Sequence, residues 1–267
     1  EVLSLQSSVL SKLINPNCMK IYFASDQHFG APNFEKSKER ELLFVQWLDV
    51  IKKDATALFL LGDLFDFWFE YKTVVPKGFV RVLGKLAALK DAGITIHFFV
   101  GNHDLWIRDY FEKELGIKVY RQPTKFTFNK QIFLIGHGDG LGPGDAAYKR
   151  MKKVFINPVA QWFFRWLHPD IGVRLAQYLS LENRYISGEE DVTFLGEDKE
   201  PLIIYCKEQY QLEKYDFFLF GHRHLPMEIE IAKDSKYINT GDWISHNSYV
   251  VFDGKELRLN EFKTTSK

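Results

Sequence analysis

Seven side chains in five separate motifs could hold metal: Asp26 with His28, Asp63, Asn102, His137, and His222 with His224. Aspartate, asparagine and neutral histidine present lone pairs on short side chains, a set that suits manganese, iron, zinc or cobalt. Asp26 and His28 are two residues apart, as are His222 and His224, so each pair can point one way from an extended segment. Asp63 has two oxygens and could bridge two ions, while Asn102 offers a neutral oxygen beside a phosphate. A pair of ions ~3.5–4 Å apart can bind phosphate oxygens and acidify the attacking water, which is the chemistry of phosphoester hydrolysis. His103 is expected to contact the phosphate or protonate the leaving oxygen, with Asp104 orienting it. The remaining histidines read as bland. His97 falls mid-strand and suits a core or second-sheet position, His168 precedes Pro169 at a helix end, and His246 has no clear partner in its loop.

What must position these groups is a series of strands. Lys20–Ala24, Ala57–Leu61, Ile94–Val100 and Phe217–Phe220 are apolar runs, and each stops at a polar motif carrying candidate ligands. Thr124–Phe128 and Gln131–Ile135 flank Asn129-Lys130 and read as a hairpin whose second arm ends at His137. Helical periodicity crosses Glu39–Lys53, with Leu42, Leu43, Trp47, Val50 and Ile51 on one face, and again Lys77–Leu89, stopped by Asp91-Ala92-Gly93. Strand and helix alternate as in βαβ organisation. Short alternating strands near Met227–Ile231, Tyr237–Asn239, Tyr249–Phe252 and Leu257–Phe262 suggest an antiparallel second sheet packed on the first. In open α/β sheets ligands sit beyond the carboxyl ends of strands, so the five motifs are expected to converge.

The 267 residues suffice for one large α/β domain, and 46% hydrophobic and 16% aromatic content supplies a core. Lys plus Arg and Asp plus Glu both number 35, a balance that argues against a general nucleic-acid binder. Two cysteines, Cys18 and Cys206, are too few for a disulfide framework and fit a reduced, cytoplasmic setting. No segment approaches the ~20 apolar residues of a membrane span. Residues 1–18 read as an N-terminal extension of unassigned role, with the domain proper at 19–267.

The ordered series Asp26-x-His28, Gly62-Asp63, Gly101-Asn102-His103-Asp104, His137 and Gly221-His222-x-His224 resembles the calcineurin-like metallophosphoesterases over about residues 20–245. That resemblance implies an α/β fold, a four-layer αββα sandwich. It implies one metal held by Asp26, His28, Asp63 and His224, and a second held by Asp63, Asn102, His137 and His222. Within the superfamily, Gly62-Asp63-Leu64-Phe65-Asp66-Phe67-Trp68 and His137-Gly138-Asp139-Gly140 are similar to the UDP-2,3-diacylglucosamine hydrolase branch. Members cleave a nucleotide-lipid pyrophosphate in lipid A synthesis, releasing UMP and a lipid phosphate, usually with manganese (Mn2+). Asp145-Ala146-Ala147-Tyr148 matches their lead into a helical cap, making Asp145 and Tyr148, with Asn102 and His103, candidate substrate contacts. The best-known members carry Arg where this chain has His103, and a Ser/Asn/Lys set that finds no clear match in Leu179–Glu190.

The interval about 141–215 interrupts the α/β pattern and is expected to form that cap. Asp145 can cap a helix to about Ile156, with Tyr148, Met151, Lys152 and Phe155 at turn spacing. Asn157-Pro158 opens a second helix bearing Trp162, Phe163, Phe164, Trp166 and Leu167, and a third segment, Ile171–Leu181, adds Arg174 and Tyr178. Basic and aromatic residues together suit an anionic amphipathic ligand or an anionic membrane surface. They equally suit packing of the cap on the body with a solvated lysine face. The expected partners are therefore a nucleotide-glycolipid substrate and peripheral contact with the cytoplasmic face of the inner membrane, with no nucleic acid. One alternative keeps the two-metal chemistry on another nucleotide or phosphoester. A non-catalytic scaffold is a third reading, but scaffolds lose ligands and all seven are present.

Overall fold

The computed structural model describes residues 19–175 and 193–263. In chain order its elements are β1 (Ile21–Ala24), α1 (Phe34–Ile51), β2 (Ala57–Leu60), α2 (Val80–Asp91), β3 (Thr95–Phe99), α3 (Tyr110–Lys113), β4 (Lys118–Tyr120), β5 (Thr124–Phe128) and β6 (Gln131–Ile135). There follow α4 (Ala146–Phe155), α5 (Pro158–Arg165), α6 (Pro201–Leu212), β7 (Phe217–Phe220), β8 (Met227–Ala232), β9 (Ser235–Asn239), β10 (Ser248–Phe252) and β11 (Leu257–Glu261). The extension 1–18 with Cys18, Tyr178 and the segment Leu179–Glu190 lie outside the described residues.

The apolar runs are continuous because the strands are covered on both faces. On β1, Tyr22 and Ala24 pack under α1 with Phe44, Trp47 and Leu48, while Ile21 and Phe23 face the other sheet with Phe133, Ile135 and Leu219. On β7, Phe218 and Phe220 face α6 through Leu202, Ile203 and Cys206. Helix, sheet, sheet and helix thus stack as four layers, each interface filled by alternate residues of the strands.

One sheet runs β11-β10-β1-β2-β3-β4 and the other β5-β6-β7-β9-β8. The tail strands therefore do not form a separate antiparallel sheet. β10 and β11 join the first sheet, β10 antiparallel to β1. The second sheet is mixed, since β7 pairs parallel with both β6 and β9. The hairpin β5–β6 holds at the expected residues, with Asn129 and Lys130 both at positive φ in a tight turn.

Helix α1 is rotated from the expected phase. Its buried side carries Phe44, Trp47, Leu48 and Ile51 together with Arg40 and Glu41, while Leu42 and Val50 face solvent. The reason is polar. Arg40 turns inward to bind the loop after β1, and Glu41 accepts the free amides of Arg81 and Val82 at the start of α2, 3.1 Å each.

Residues 201–212, inside the interval expected to form the cap, are α6 and belong to the sandwich. Helices α4 and α5 have no buried residues. Asn157 caps α5 by accepting from the amides of Val159 and Ala160, with Pro158 next. Asp145 makes no such cap on α4: it sits in the left-handed region, φ 51°, without a side-chain capping bond.

Candidate metal centre

The five strand-end motifs meet on one side of the two sheets. Asp26, His28, Asp63, His222 and His224 all have left-handed backbone, φ between 45° and 71°. Asp and His tolerate this region better than most residues, yet five together at one site store strain that the surrounding fold must hold. Close approach of the loops explains the glycines before the ligands. A Cβ on Gly101 would strike the Asp63 carboxyl group and amide, and one on Gly221 would strike Ser25 and the Asp26 carboxylate.

The candidate donor atoms lie close together. His224 Nε2 is 3.2 Å from Asp26 Oδ1 and 3.1 Å from His28 Nε2. His28 Nε2 is 3.7 Å from Asp63 Oδ2, which in turn is 3.3 Å from His137 Nε2. Asn102 Oδ1 lies 3.0 Å from the same His137 nitrogen, and the His222 ring centroid is 5.2 Å from that of His137. Asp63 Oδ2 thus stands between two imidazoles.

The donor set fits divalent cations. Asp26 Oδ2 is occupied by Ser25 Oγ and the amide of His222, but Oδ1 is buried and receives no hydrogen bond. His28 Nε2 and His224 Nε2 face each other at 3.1 Å, so at least one of them presents a lone pair to the site. Burial disfavours charge on Asp26, but His224, His28 and His137 hold its carboxyl well below the usual range. Burial also opposes protonation of His137, but Asp63 and Asp26 outweigh it and push the imidazole up to about 10. Carboxylates that stabilise a proton on a neighbouring imidazole this firmly will also stabilise a metal cation, in competition with that proton.

Behind the ligands lies a layer of groups that fix them. His137 Nδ1 donates to the Leu61 carbonyl at 2.7 Å, so Nε2 is the nitrogen whose lone pair becomes available once the ring gives up its second proton. His28 Nδ1 faces Asp66 Oδ1 at 3.5 Å, and His224 Nδ1 faces Asp242 Oδ2 at 3.7 Å. Buried Arg40 donates to the carbonyls of Gln27 (2.6 Å), His28 (2.7 Å) and Ala31. Arg223, between the last two ligands, is buried against Glu200, which starts α6, and reaches the Thr193 carbonyl at 2.9 Å.

His103 sits at the same cluster. Its ring meets that of His28 edge-on at 4.7 Å, its amide donates to Asp63 Oδ1 at 2.8 Å, and its Nδ1 donates to the Asp66 carbonyl at 3.0 Å. Asp104 does not orient it. Both Asp104 oxygens accept backbone amides, from Gly101 at 2.7 Å and Leu64 at 3.0 Å, tying the loop after β3 to the loop after β2. Burial and the nearby Asp63 push its carboxyl up to about 8. The residue beside His103 is instead Asp66, with Oδ1 3.6 Å from Nδ1.

Asp66, Arg40, Ser25 and Asp242 were not among the expected site residues. Asp242 had a readable signal, since Gly241-Asp242 follows buried β9 as Gly62-Asp63 follows β2. It also gives His246 a partner, Nδ1 to Oδ1 at 3.1 Å. His97 does belong to the inter-sheet region, stacked on Phe59 at 4.2 Å and bonded to the Tyr120 hydroxyl at 2.9 Å. Of the two cap candidates, Tyr148 donates its hydroxyl to Asp139, two residues beyond His137, while Asp145 is exposed.

The aromatic residues of α4 and α5 divide between the two roles open to them. Phe155 and Phe164 pack on Trp106 of the body at 5.7 and 4.6 Å. Trp162, Phe163 and Trp166 are 51–74% exposed.

The calcineurin-like phosphoesterase family profile matches residues 19–226. A Porphyromonas gingivalis (strain W83) protein named UDP-2,3-diacylglucosamine hydrolase is 38% identical over 257 residues, covering 91% of this chain and 98% of its own. Proteins of the same name from Pseudomonas fluorescens and Edwardsiella ictaluri are 28% and 25% identical. The first covers 91% of this chain and 94% of its own, the second 82% and 84%.

Proposed function

The chain belongs to the calcineurin-like phosphoesterase family, and from that premise we propose that it hydrolyses UDP-2,3-diacylglucosamine to UMP and 2,3-diacylglucosamine 1-phosphate, a step of lipid A synthesis. The observation that carries this reading is the clustering of Asp26, His28, Asp63, His137 and His224, with Asn102 and His222 beside His137, in a chain alignable almost end to end with a hydrolase of that name. Two divalent ions, which we take to be manganese, would supply Lewis acidity at the phosphate and an acidified water. Asp26, His28, Asp63 and His224 would hold one, and Asp63, Asn102, His137 and His222 the other.

The protein's own groups do the rest. Asn102 and His103 stand together after β3, where they can contact the same phosphate. A carbonyl only accepts, so the Asp66 carbonyl fixes the hydrogen of His103 on Nδ1 and leaves Nε2 to carry or donate a second proton. The Asp66 carboxylate lies 3.6 Å from that Nδ1. Water attack at the α-phosphorus breaks the bond to the bridging oxygen, which departs with the β-phosphate and the lipid sugar. The water oxygen stays in UMP.

The exposed face of α5, with Trp162, Phe163 and Trp166, supports contact with acyl chains and with an anionic bilayer surface, helped by nearby Arg165 and the lysines of α4. Among the described residues no helix is long and apolar enough to cross a membrane. The location that the exposed α5 face supports is peripheral, on the cytoplasmic face of the inner membrane. Turnover in ¹⁸O-water tests the reaction: label in UMP and none in the lipid phosphate is expected, and label in the lipid phosphate would place the attack on the other phosphorus.

A further inference from the structure

A cavity of about 330 Å³ opens beside the metal centre, between the loop after β6, helix α4 and the β4–β5 connection. His137 and Asp139 form one wall, and Arg121, Lys149, Lys152 and Lys153 surround the rest. Four cations therefore face one carboxylate. Lys152 is paired with that carboxylate at 2.5 Å, whereas Lys149 reaches only the Gly142 carbonyl, at 2.5 Å. Arg121 is held by the carbonyls of Leu105 and Ile107, which fix its guanidinium plane without neutralising it. Lys153 is exposed, and among the described residues none engages it by a hydrogen bond or ion pair.

A cavity that shares a wall with a metal ligand and carries uncompensated positive charge is built for the anionic part of the substrate. Its volume lies at the small end of ligand pockets, enough for a nucleotide and not for paired acyl chains. The apolar surface those chains need lies instead on α5. A planar, immobilised guanidinium also offers a stacking face to a base.

We propose that this cavity is the nucleotide subsite, holding the uridine monophosphate half of the substrate with its phosphate toward His137 and its charge met by Lys149, Lys153 and Arg121. The choice of a uridine nucleotide rests on the function proposed above. The shared chemistry is a phosphate monoester, so the competing occupant is the sugar phosphate of the other product.

The test is calorimetric titration of the manganese-loaded protein with UMP and, separately, with glucosamine 1-phosphate. Lys153→Glu should weaken UMP binding about tenfold or more, with glucosamine 1-phosphate unaffected. Lys153→Arg should restore UMP binding, and the same reversal in the β10–β11 turn, Lys255→Glu, should leave it at the wild-type value. UMP affinity indifferent to Lys153→Glu, or loss of glucosamine 1-phosphate in place of UMP, would overturn the assignment. Turnover of UDP-2,3-diacylglucosamine is measured alongside. Lys153-dependent UMP binding without turnover would remove the lipid substrate and keep the subsite, and turnover with Lys153-independent UMP binding would do the reverse.

Discussion

Asp66 Oδ1 stands 3.5 Å from Nδ1 of His28, on the ring edge opposite the nitrogen that faces the other ligands. The same carboxylate lies 3.6 Å from Nδ1 of His103, so one buried acid stands beside both a proposed metal ligand and a proposed phosphate contact. Replacing such a partner costs ~10- to 100-fold in metal affinity or activity. Asp66→Asn should therefore weaken manganese binding by that order and lower kcat in parallel. Metal titration followed by turnover at saturating metal separates the two effects. Unchanged values for both would leave Asp66 with no positioning role.

Arg40 satisfies three carbonyls of the loop that carries Asp26 and His28. Arg40→Met strands those carbonyls in a buried place, and a loss of about 3 kcal/mol or more is expected. Denaturant unfolding reads the stability, and metal content after dialysis reads the site. Arg40→Lys should recover only part of both, because an ammonium cannot span the fork.

His97 carries a pH signature separate from the metal ligands. Burial, with Lys118 and Lys90 adding to it, pushes the imidazole down to about 4. As pH falls below ~6.5 the unfolded chain takes up this proton while the folded protein does not, so stability is lost between pH 6.5 and 4. The ring is partly exposed, and solvent screening reduces the effect to about 1 kcal/mol at pH 5. Urea midpoints at pH 7.5 and 5 should move closer together in His97→Phe than in the wild type. An identical acid loss in both would assign the effect elsewhere.

The exposed aromatics of α5 make a surface prediction. Replacing Trp162, Phe163 and Trp166 with Ser removes apolar area that is mostly exposed, so the melting temperature should fall only slightly. Co-sedimentation with vesicles rich in anionic lipid should be lost. Retained sedimentation would place the membrane contact on another face.

The ligands were legible because each follows a strand buried on both faces. An abrupt Asp, Asn or His after an apolar run marks the place where the chain leaves the core. The β5–β6 hairpin was legible for a local reason, the Asn129-Lys130 turn. The destinations of β10 and β11 were not, since Ile21 pairing with Phe252 is a contact between the two ends of the domain that no local pattern encodes. The phase of α1 was misread because Arg40 and Glu41 look like surface residues until the carbonyls and amides they serve are in place. Asp104 was misread likewise, its adjacency to His103 in sequence having suggested a contact that backbone amides of two other loops claim instead.

Asp63 lies at the junction of the whole account, one oxygen accepting the His103 amide and the other between His28 and His137. The most direct test is UMP release from UDP-2,3-diacylglucosamine by wild type and Asp63→Ala, each assayed after chelation and after manganese is returned. Release by the wild type only with metal, and by Asp63→Ala at neither stage, is the predicted result. Release that survives chelation, or that survives loss of Asp63, would contradict a reaction built on this metal centre.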